Sequence, residues 1–173
     1  MSHESAPHTA ADLDLLSALR ALTATDRQMR STLAQLARPY GLNDTQSLVL
    51  HCCAAAAETG ASQSELAEQL GISPAAISDL VERMRRQQLL VGDRSPTDRR
   101  RQVWQVTDDG RAALGHLRHA CSVWAAQPEA GIDADLLDTV TKLLEVFVAA
   151  ARSCPVDAET ASTTNQNSSR KVA

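Results

Sequence analysis

The chain has 173 residues, of which 43% are apolar, and its formal net charge is −4 at pH 7. This length suits one domain with a real hydrophobic core, and the acidic balance excludes a protein that attracts nucleic acid over its whole surface. Two tryptophans, one tyrosine and one phenylalanine are the whole aromatic complement, so leucine and alanine must fill the core, as is typical of a helical protein.

Four cysteines in a chain of this size do not indicate a disulfide framework. The first residues lack the basic and then apolar pattern of a signal peptide, and no uncharged apolar run reaches the ~18 residues that a membrane helix needs. We therefore expect a cytoplasmic protein with reduced thiols and no membrane partner.

A long helix is predicted from Ala11 to Arg38, where Pro39 ends it. Its apolar residues alternate steps of four and three, with Asp26 at the one missing position: Leu15, Leu19, Leu22, Met29, Leu33 and Leu36. A seam sustained for three heptads needs a partner helix, which could lie in the same chain or in a second copy. We interpret residues 11–42 as an N-terminal dimerisation helix, because the last helix of the chain repeats the pattern.

A second helix is predicted to follow, with Asn43 as its cap and Gln46 three residues later. The stretch 48–57 is apolar nearly all round, so this helix should be buried. Gly60 is expected to end it and to lead into the next element.

Cys52 and Cys53 lie side by side in this second helix. They could form a redox sensor, because oxidation of thiols near a hinge between two lobes would be converted into movement. Cysteine is also among the most buried residue types and then acts as a small hydrophobe. Both interpretations fit the sequence.

Two short capped helices come next, separated by a turn that contains glycine. Ser62 and Glu65 form a capping box, in which the serine accepts from the third backbone amide and the glutamate reaches back to the cap. Gly71 supplies the left-handed residue that ends the first of these helices. Ser73 caps the second, and Pro74 occupies its first helical position, where the missing N–H costs nothing. Two such helices predict a helix-turn-helix unit that docks on DNA.

The spacing of three and four divides these two helices into an inner and an outer side. The inner residues are Leu66, Ala67 and Leu70 in the first helix, and Ile77, Leu80, Val81 and Met84 in the second. The outer residues at the start of the second helix are the candidate DNA contacts: Ser73, Pro74, Ala75, Ala76, Ser78, Asp79 and Arg83.

The types of these outer residues suit a major groove. The serines can bond phosphates or bases, and the alanines are small enough to touch a thymine methyl group. Arg83 could bind a guanine edge through two bonds, or a phosphate. Asp79 is unusual opposite a polyanion. It could accept from a cytosine amino group, or it could orient Arg83 four residues later, which is the interpretation that we favour.

Two strands are predicted after this helix, Leu89–Arg94 and Gln102–Val106, and the period of two puts Trp104 and Val106 on one face. Residues 83–101 hold seven of the fifteen arginines against two aspartates, a local balance of +5 in a chain whose remainder carries −9. An acidic body with one basic patch confines the attraction for phosphate to that patch.

Two further helices are predicted in 108–153, which we interpret as C-terminal dimerisation helices. Thr107 caps the first and Asp133 the second, after a break at Pro128 and Gly131. Apolar residues recur at steps of three and four: Leu114, Leu117, Cys121 and Trp124 in the first, and Leu136, Val140, Leu143 and Phe147 in the second. Further apolar residues widen the second stripe beyond what one winged domain could cover, so burial between two subunits is expected.

The remaining segments are less informative. Residues 1–10 and 154–173 lack periodicity and are expected to be disordered. The group His116, His119 and Cys121 offers metal-ligand atoms. Cys121 falls in an apolar stripe, however, and the histidines fall on a solvated flank, so we predict no metal and no cofactor.

The motif P96-x-D98-x-R100, followed by an apolar strand and by V106-T107-D-D-G110 at the start of a helix, resembles the multiple antibiotic resistance regulator (MarR) family. The resemblance covers roughly residues 12–152 and is richest in motifs over 62–110. It implies a dimeric winged-helix transcription factor, usually a repressor that small molecules or oxidants release. Effectors of such proteins bind in a crevice between the dimerisation helices and the DNA-binding lobe.

The resemblance also implies roles for the arginines of the wing. It places Arg100 at the tip of the wing, where it would enter the minor groove, with Asp98 bracing it. A narrow A·T-rich minor groove attracts such an arginine through its enhanced negative potential. Three further arginines would contact phosphates or stay solvated: Arg94, Arg99 and Arg101.

The chain departs from the family at two positions. Glycine usually follows the recognition helix, where this chain has Gln88, so the end of that helix and the angle of the wing are open. Arginine is common where this chain has Gly92, so one expected phosphate contact is missing.

We therefore predict a mostly α protein with a small β wing, in which a winged helix-turn-helix lobe (43–107) is flanked by dimerisation helices. The predicted function is a homodimeric, sequence-specific regulator that binds a pseudopalindromic operator in double-stranded DNA. It would act as a repressor released by a small-molecule effector or an oxidant. The alternative is a winged-helix protein-interaction module without specific DNA binding. No nucleophile beside a positioned base and no glycine-rich phosphate loop is evident, so an enzyme is not expected.

Overall fold

The computed structural model describes residues 15–94, 101–128 and 132–153. These residues form six α-helices and a two-stranded antiparallel sheet, which is the fold class predicted from the sequence. The helices are α1 (Leu15–Ala37), α2 (Asp44–Ala55), α3 (Gln63–Leu70), α4 (Pro74–Arg86), α5 (Asp108–Ala125) and α6 (Ala134–Ser153). The strands are β1 (Leu90–Arg94) and β2 (Gln102–Val106). No helix within these ranges is long and apolar enough to cross a membrane.

α1 changes along its length from an exposed to a packed helix. Near its C-terminus, Leu33 and Leu36 pack against the core and Ala37 is fully buried. Toward its N-terminus the apolar side chains are exposed: Leu15, Leu16, Leu19, Leu22 and Met29. The helix stops one residue before the predicted end, and the short 3-10 turn Arg38–Tyr40 follows it. Residues 11–14 of the predicted helix lie outside the described residues.

The N-terminus of α2 carries the predicted cap in full. Asn43 Oδ1 accepts from the Gln46 amide at 2.8 Å, and Gln46 Oε1 accepts from the Asn43 amide at 3.0 Å. The reciprocal bonds satisfy two backbone donors that the first turn of a helix would otherwise leave unpaired.

Two expectations for α2 were wrong. The helix ends at Ala55 instead of Gly60, because Ala57 adopts a left-handed φ of 49° and the chain continues as a 3-10 turn. Burial is also less complete than predicted, since His51 is exposed while Val49 and Leu50 on the inner side are fully buried. The core therefore covers one side of this helix only.

α3 and α4 form the predicted helix-turn-helix. Ser62 and Glu65 make the capping box of α3, and Gly71 at φ 64 ends it. Ser73 Oγ accepts from the Ala76 amide at 3.3 Å at the start of α4, where Pro74 is the first residue. The predicted inner residues of α4 are all buried: Ile77, Leu80, Val81 and Met84.

The end of α4 shows how the chain accommodates Gln88 at the position where the family usually has glycine. The Leu89 amide donates to the Met84 carbonyl and the Gln88 amide donates to the Arg85 carbonyl, both at 3.0 Å, which is a Schellman motif. Gln88 takes the left-handed position of this motif at φ 60. The helix thus ends as it would with glycine, at the energetic cost of a side chain in the left-handed region.

The two strands pair in antiparallel register, with Leu90 opposite Val106 and Gly92 opposite Trp104. A Cβ on Gly92 would lie 3.3 Å from the Trp104 ring, so the indole covers the surface that a side chain at this position would occupy. β1 begins at Leu90, one residue later than predicted.

The burial of β2 does not follow the predicted alternation. Trp104 and Val106 are buried as expected, but Val103 on the opposite face is buried as well. The segment before α3 covers this second face, because a Cβ on Gly60 would lie 3.0 Å from the Val103 side chain. Ala61 also forms a bridge with Trp104, so that β2 is hydrogen-bonded along both edges.

The remaining helices are capped as predicted. Thr107 Oγ1 accepts from the Gly110 amide at 3.1 Å before α5, and Leu114 and Leu117 of that helix are buried. The chain divides into two compact units, Met1–Trp124 and Ala125–Ala173. In the second unit, Asp133 Oδ1 accepts from the Leu136 amide at 2.7 Å at the start of α6.

Candidate nucleic-acid interface

The outer side of α4 is open to solvent. Ser73, Pro74, Ala75, Ala76, Asp79 and Arg83 are exposed, and Ser78 is half-buried. Three of these residues follow at steps of four and therefore share one side of the helix: Ala75, Asp79 and Arg83. The arrangement presents two small side chains at the N-terminal end and one long cation a little more than two turns later.

Asp79 and Arg83 do not pair with each other. Among the residues that the structure describes, no ion pair or hydrogen bond joins their side chains, so the orienting role that we favoured for Asp79 is not seen. The guanidinium of Arg83 is consequently available to an external acceptor.

Other arginines at the end of α4 are occupied. Arg85 donates two bonds of 2.8 Å to Glu82, and Arg86 donates to the same carboxylate at 3.3 Å. Chiefly because of the hydrogen bonds from Arg85, the pKa of Glu82 falls to about 2. The basic segment is therefore partly neutralised here. The i, i+3 and i, i+4 spacing could have revealed these pairs from the sequence.

The base of the wing contains one free and one committed arginine. Arg94 is exposed, and its side chain has no ion pair within the described part of the chain. Arg101 Nη2 donates to Ser62 Oγ at 2.9 Å and to Glu65 Oε1 at 3.2 Å. The predicted wing-tip residues lie outside the described residues: Asp98, Arg99 and Arg100.

The attachment of Arg101 to α3 was not anticipated. Glu65 already serves the helix cap, since its other carboxylate oxygen accepts from the Ser62 amide at 2.8 Å and from Ser62 Oγ at 2.7 Å. These bonds from Ser62, followed by that from Arg101, lower the pKa of the Glu65 carboxyl. One carboxylate thus closes the cap of α3 and holds the residue that precedes β2.

The cysteines of α2 lie in an environment that opposes ionisation. Cys53 is 1% exposed, and burial raises the pKa of its thiol to about 12. Burial also raises the pKa of Cys52, which is half-buried. Because the thiolate is the reactive form, these shifts favour packing over redox sensing.

A cleft of about 330 Å3 opens beside Cys53, lined also by Ala54, Ala57, Glu58, Gln105, Val106 and Arg111. Two polar side chains of its lining, those of Gln105 and Arg111, are already engaged within the protein. Gln105 Nε2 donates to the Glu58 carbonyl at 2.8 Å, and Arg111 donates to the Val106 carbonyl at 2.7 Å and to Asp108 at 2.6 Å.

The three residues weighed as metal ligands do not converge. The ring of His116 stacks on Tyr40 with centroids 5.7 Å apart. Within the described ranges, no group of three or more His, Cys, Asp or Glu side chains is placed to hold a metal ion.

Two helices expose more apolar surface than a solvated helix normally does. The five exposed apolar residues of α1 are named above. On α6 the exposed set is Leu136, Leu137, Val140, Leu143, Leu144, Val146, Phe147 and Val148. Leu143 and Val146 are 64% and 68% exposed. On each helix taken by itself, exposed apolar side chains of this kind form a candidate interaction surface.

Comparisons with known proteins support the helix-turn-helix assignment. Residues 40–101 match the sequence model of the MarR family. CouR from Rhodococcus jostii RHA1, solved with p-coumaroyl-CoA, is 22% identical with a TM-score of 0.64 and covers 78% of this chain and 92% of its own. BldR from Sulfolobus solfataricus is 19% identical with a TM-score of 0.62, over 75% of this chain and 94% of its own.

A variant of S. aureus MepR bound to an oligodeoxyribonucleotide is 14% identical with a TM-score of 0.53, over 76% of this chain and 96% of its own. The comparison with curated proteins found no match. The structural similarities establish the fold, and the family match confirms the resemblance predicted from the sequence. Members of this family are transcription regulators and not enzymes.

Proposed function

We propose that this chain, whose residues 40–101 match the MarR family, is a homodimeric repressor that binds a pseudopalindromic DNA operator. In this proposal α4 lies in the major groove and the wing reaches the adjacent minor groove. A small-molecule effector releases the protein from its operator.

The observation that carries the proposal is the outer side of α4. A helix that enters the major groove needs small residues where it meets the bases and a long donor that can reach a base edge. Ala75 and Ala76 meet the first requirement, and Arg83, whose guanidinium has no partner among the described residues, meets the second. The opposite side of α4 is packed against the core, so only the outer side of this helix can face DNA.

The wing supplies the sequence-independent part of binding. Arg94 is exposed, and its side chain has no ion pair in the described part of the chain, so it could contact a phosphate. By analogy with the family, Arg100 enters the minor groove with Asp98 bracing it, and Arg99 contacts the backbone. These contacts position the protein on DNA and make its affinity depend on salt.

The exposed apolar surfaces of α1 and α6 support the proposed dimer. Eight large apolar side chains of α6 are exposed in the single chain, and α1 exposes five. Burial removes such surface from water at roughly 25 cal/mol per Å2. A closed two-fold dimer buries the same surface of both copies and turns two α4 helices toward two half-sites of an inverted repeat.

Release by a small molecule is better supported than release by oxidation. CouR was solved with p-coumaroyl-CoA, which shows that one protein of similar fold binds an organic ligand. In this chain, the raised pKa values of Cys52 and Cys53 keep both thiols protonated near neutral pH.

The test is selection of DNA from a random pool by the purified full-length protein, followed by sequencing. The proposal predicts an enriched inverted repeat, whose symmetry would also report the dimer. If no sequence is enriched and the affinity of any residual DNA binding does not change with salt concentration, the chain is a protein-interaction module with a winged-helix fold.

A further inference from the structure

We infer that Arg101 is a positioning residue of the wing, which fixes the start of β2 against the N-terminus of α3, and that it does not contact phosphate. The inference rests on the proposed function, because it assigns a role to one arginine of the DNA-binding lobe. It gives Arg101 a different role from Arg94, although both belong to the basic patch of residues 83–101.

The first argument is the set of bonds made by the Arg101 guanidinium. One nitrogen, Nη2, donates to Ser62 Oγ at 2.9 Å and to Glu65 Oε1 at 3.2 Å. Both acceptors belong to the capping box of α3, whose own bonds hold them in place. A guanidinium held by two such acceptors connects residues 36 and 39 positions apart in the sequence.

The second argument is the backbone beside this contact. The Trp104 amide donates to the Ala61 carbonyl at 2.8 Å, and the Ala61 amide donates to the Trp104 carbonyl at 3.0 Å. Arg101 precedes β2 by one residue and Ser62 follows Ala61, so side-chain and backbone bonds join the same two segments. The bonds of Ala61 hold the middle of β2, and those of Arg101 hold the point at which the chain enters it.

The third argument is charge. The Glu65 carboxylate neutralises much of the Arg101 charge toward an external anion, and both side chains are 48% exposed. A phosphate that contacts Arg101 would also approach the ionised Glu65 carboxylate, which repels it. Arg83 and Arg94 have no carboxylate partner among the described residues, so they meet a phosphate or base without that cost.

The size of the effect is bounded by the strength of the pair. Exposed ion pairs typically change an equilibrium constant by a factor of roughly 1.5 to 5. The Arg101–Glu65 pair cannot shift the equilibrium between wing positions by more than the free energy of the pair itself. Its loss should therefore weaken operator binding by at most roughly fivefold per subunit, with no phosphate contact removed.

The experiment compares Glu65→Gln, Arg101→Ala and the double variant, with Arg94→Ala as the matched control. Glutamine can still close a capping box, so Glu65→Gln removes the charge and leaves the cap possible. We expect each single variant to weaken operator binding by a similar factor, and the double variant to be no weaker than either. The slope of log K against log salt should stay at the wild-type value, whereas Arg94→Ala should reduce its magnitude by about 0.9 per subunit.

A second readout needs no DNA. Amide hydrogen exchange of Ala61 and Trp104 should accelerate by up to roughly fivefold in Glu65→Gln and Arg101→Ala, and should be unchanged in Arg94→Ala. Circular dichroism establishes that each variant is folded.

Three results would overturn the inference: unchanged exchange, additive effects of the two single changes, or a reduced salt slope in Arg101→Ala with unchanged binding by Glu65→Gln. Failure of the proposed function looks different. In that case the wild-type protein selects no DNA sequence, while the exchange pattern still decides whether Arg101 holds β2.

Discussion

Gln46 Nε2 donates a hydrogen bond of 2.9 Å to Gln87 Oε1, which joins the first turn of α2 to the residue that ends α4. The same Gln46 side chain closes the capping box with Asn43, and it is only 5% exposed. The amide of Gln46 therefore caps the start of α2 and links it to the end of α4, the helix proposed to read DNA.

Replacement of Gln87 by alanine tests this junction. The change leaves Gln46 Nε2 without its partner in a buried position, which should lower the free energy of unfolding by about 1 kcal/mol. The measurement is urea denaturation at fixed protein concentration. Gln69→Ala on the exposed side of α3 is the matched control, with an expected change within about 0.5 kcal/mol. Equal stability of the two variants would contradict the role of the junction.

The left-handed Gln88 should be a site where glycine stabilises the protein. At φ 60 a side chain costs roughly 1 kcal/mol relative to glycine, part of which the greater freedom of glycine in the unfolded chain offsets. Gln88→Gly should therefore raise the free energy of unfolding by about 0.5–1 kcal/mol. Gln87→Gly, at φ −81, should lower it by about 1.5–2 kcal/mol, because the change adds glycine's backbone freedom to the loss of the bond from Gln46. A loss of stability in Gln88→Gly would show that its side chain makes a compensating contact.

Apolar residues of α6 should maintain the dimer. Leu143 and Phe147 lie one turn apart, 64% and 45% exposed in the single chain. Placing aspartate at both positions would bury charge in the proposed interface, so this variant should sediment as a monomer at micromolar concentration. Thr141→Asp, an exposed polar position on the same helix, should remain dimeric. A wild-type protein that is a stable, folded monomer at this concentration would exclude the dimer.

Oxidation should leave operator binding unchanged. Burial raises the pKa of Cys53 to about 12 and also raises that of Cys52, so few thiolates exist at pH 7 to react with peroxide. The operator affinity of the wild-type protein should be the same before and after mild peroxide treatment. The operator affinity of the Cys52→Ala variant should be equally insensitive to peroxide. The contrary result would be that peroxide weakens binding, a thiol reductant restores it, and the Cys52→Ala variant is insensitive to peroxide. That result would identify Cys52 as a redox sensor.

Features that depend on neighbouring residues in the chain could be predicted from the sequence. The caps at Asn43, Ser62 and Ser73 are local and all three form, the first two with their predicted partners Gln46 and Glu65. The inner side of α4 follows from helical spacing alone. The pairs of Glu82 with Arg85 and Arg86 are equally local and could have been predicted, but they were overlooked.

Features that depend on distant segments could not be predicted in this way. α2 ends early and Val103 is buried because the chain around Gly60 folds back over β2. No spacing pattern connects Arg101 with Glu65, since 36 residues separate them. For the same reason the sequence left the role of this arginine open, while its contacts in the folded chain distinguish it from Arg94.

The central claim, that α4 reads bases in the major groove, is tested most directly by Arg83→Ala. Affinities of this variant and of Arg85→Ala are measured against a panel of single-base variants of the selected operator. Arg85 is the matched control because Glu82 already holds its guanidinium. The account predicts that Arg83→Ala costs ~1–3 kcal/mol per half-site and relaxes preference at one base pair, mirrored in the other half-site. Wild-type affinity and an unchanged base preference in Arg83→Ala would contradict it.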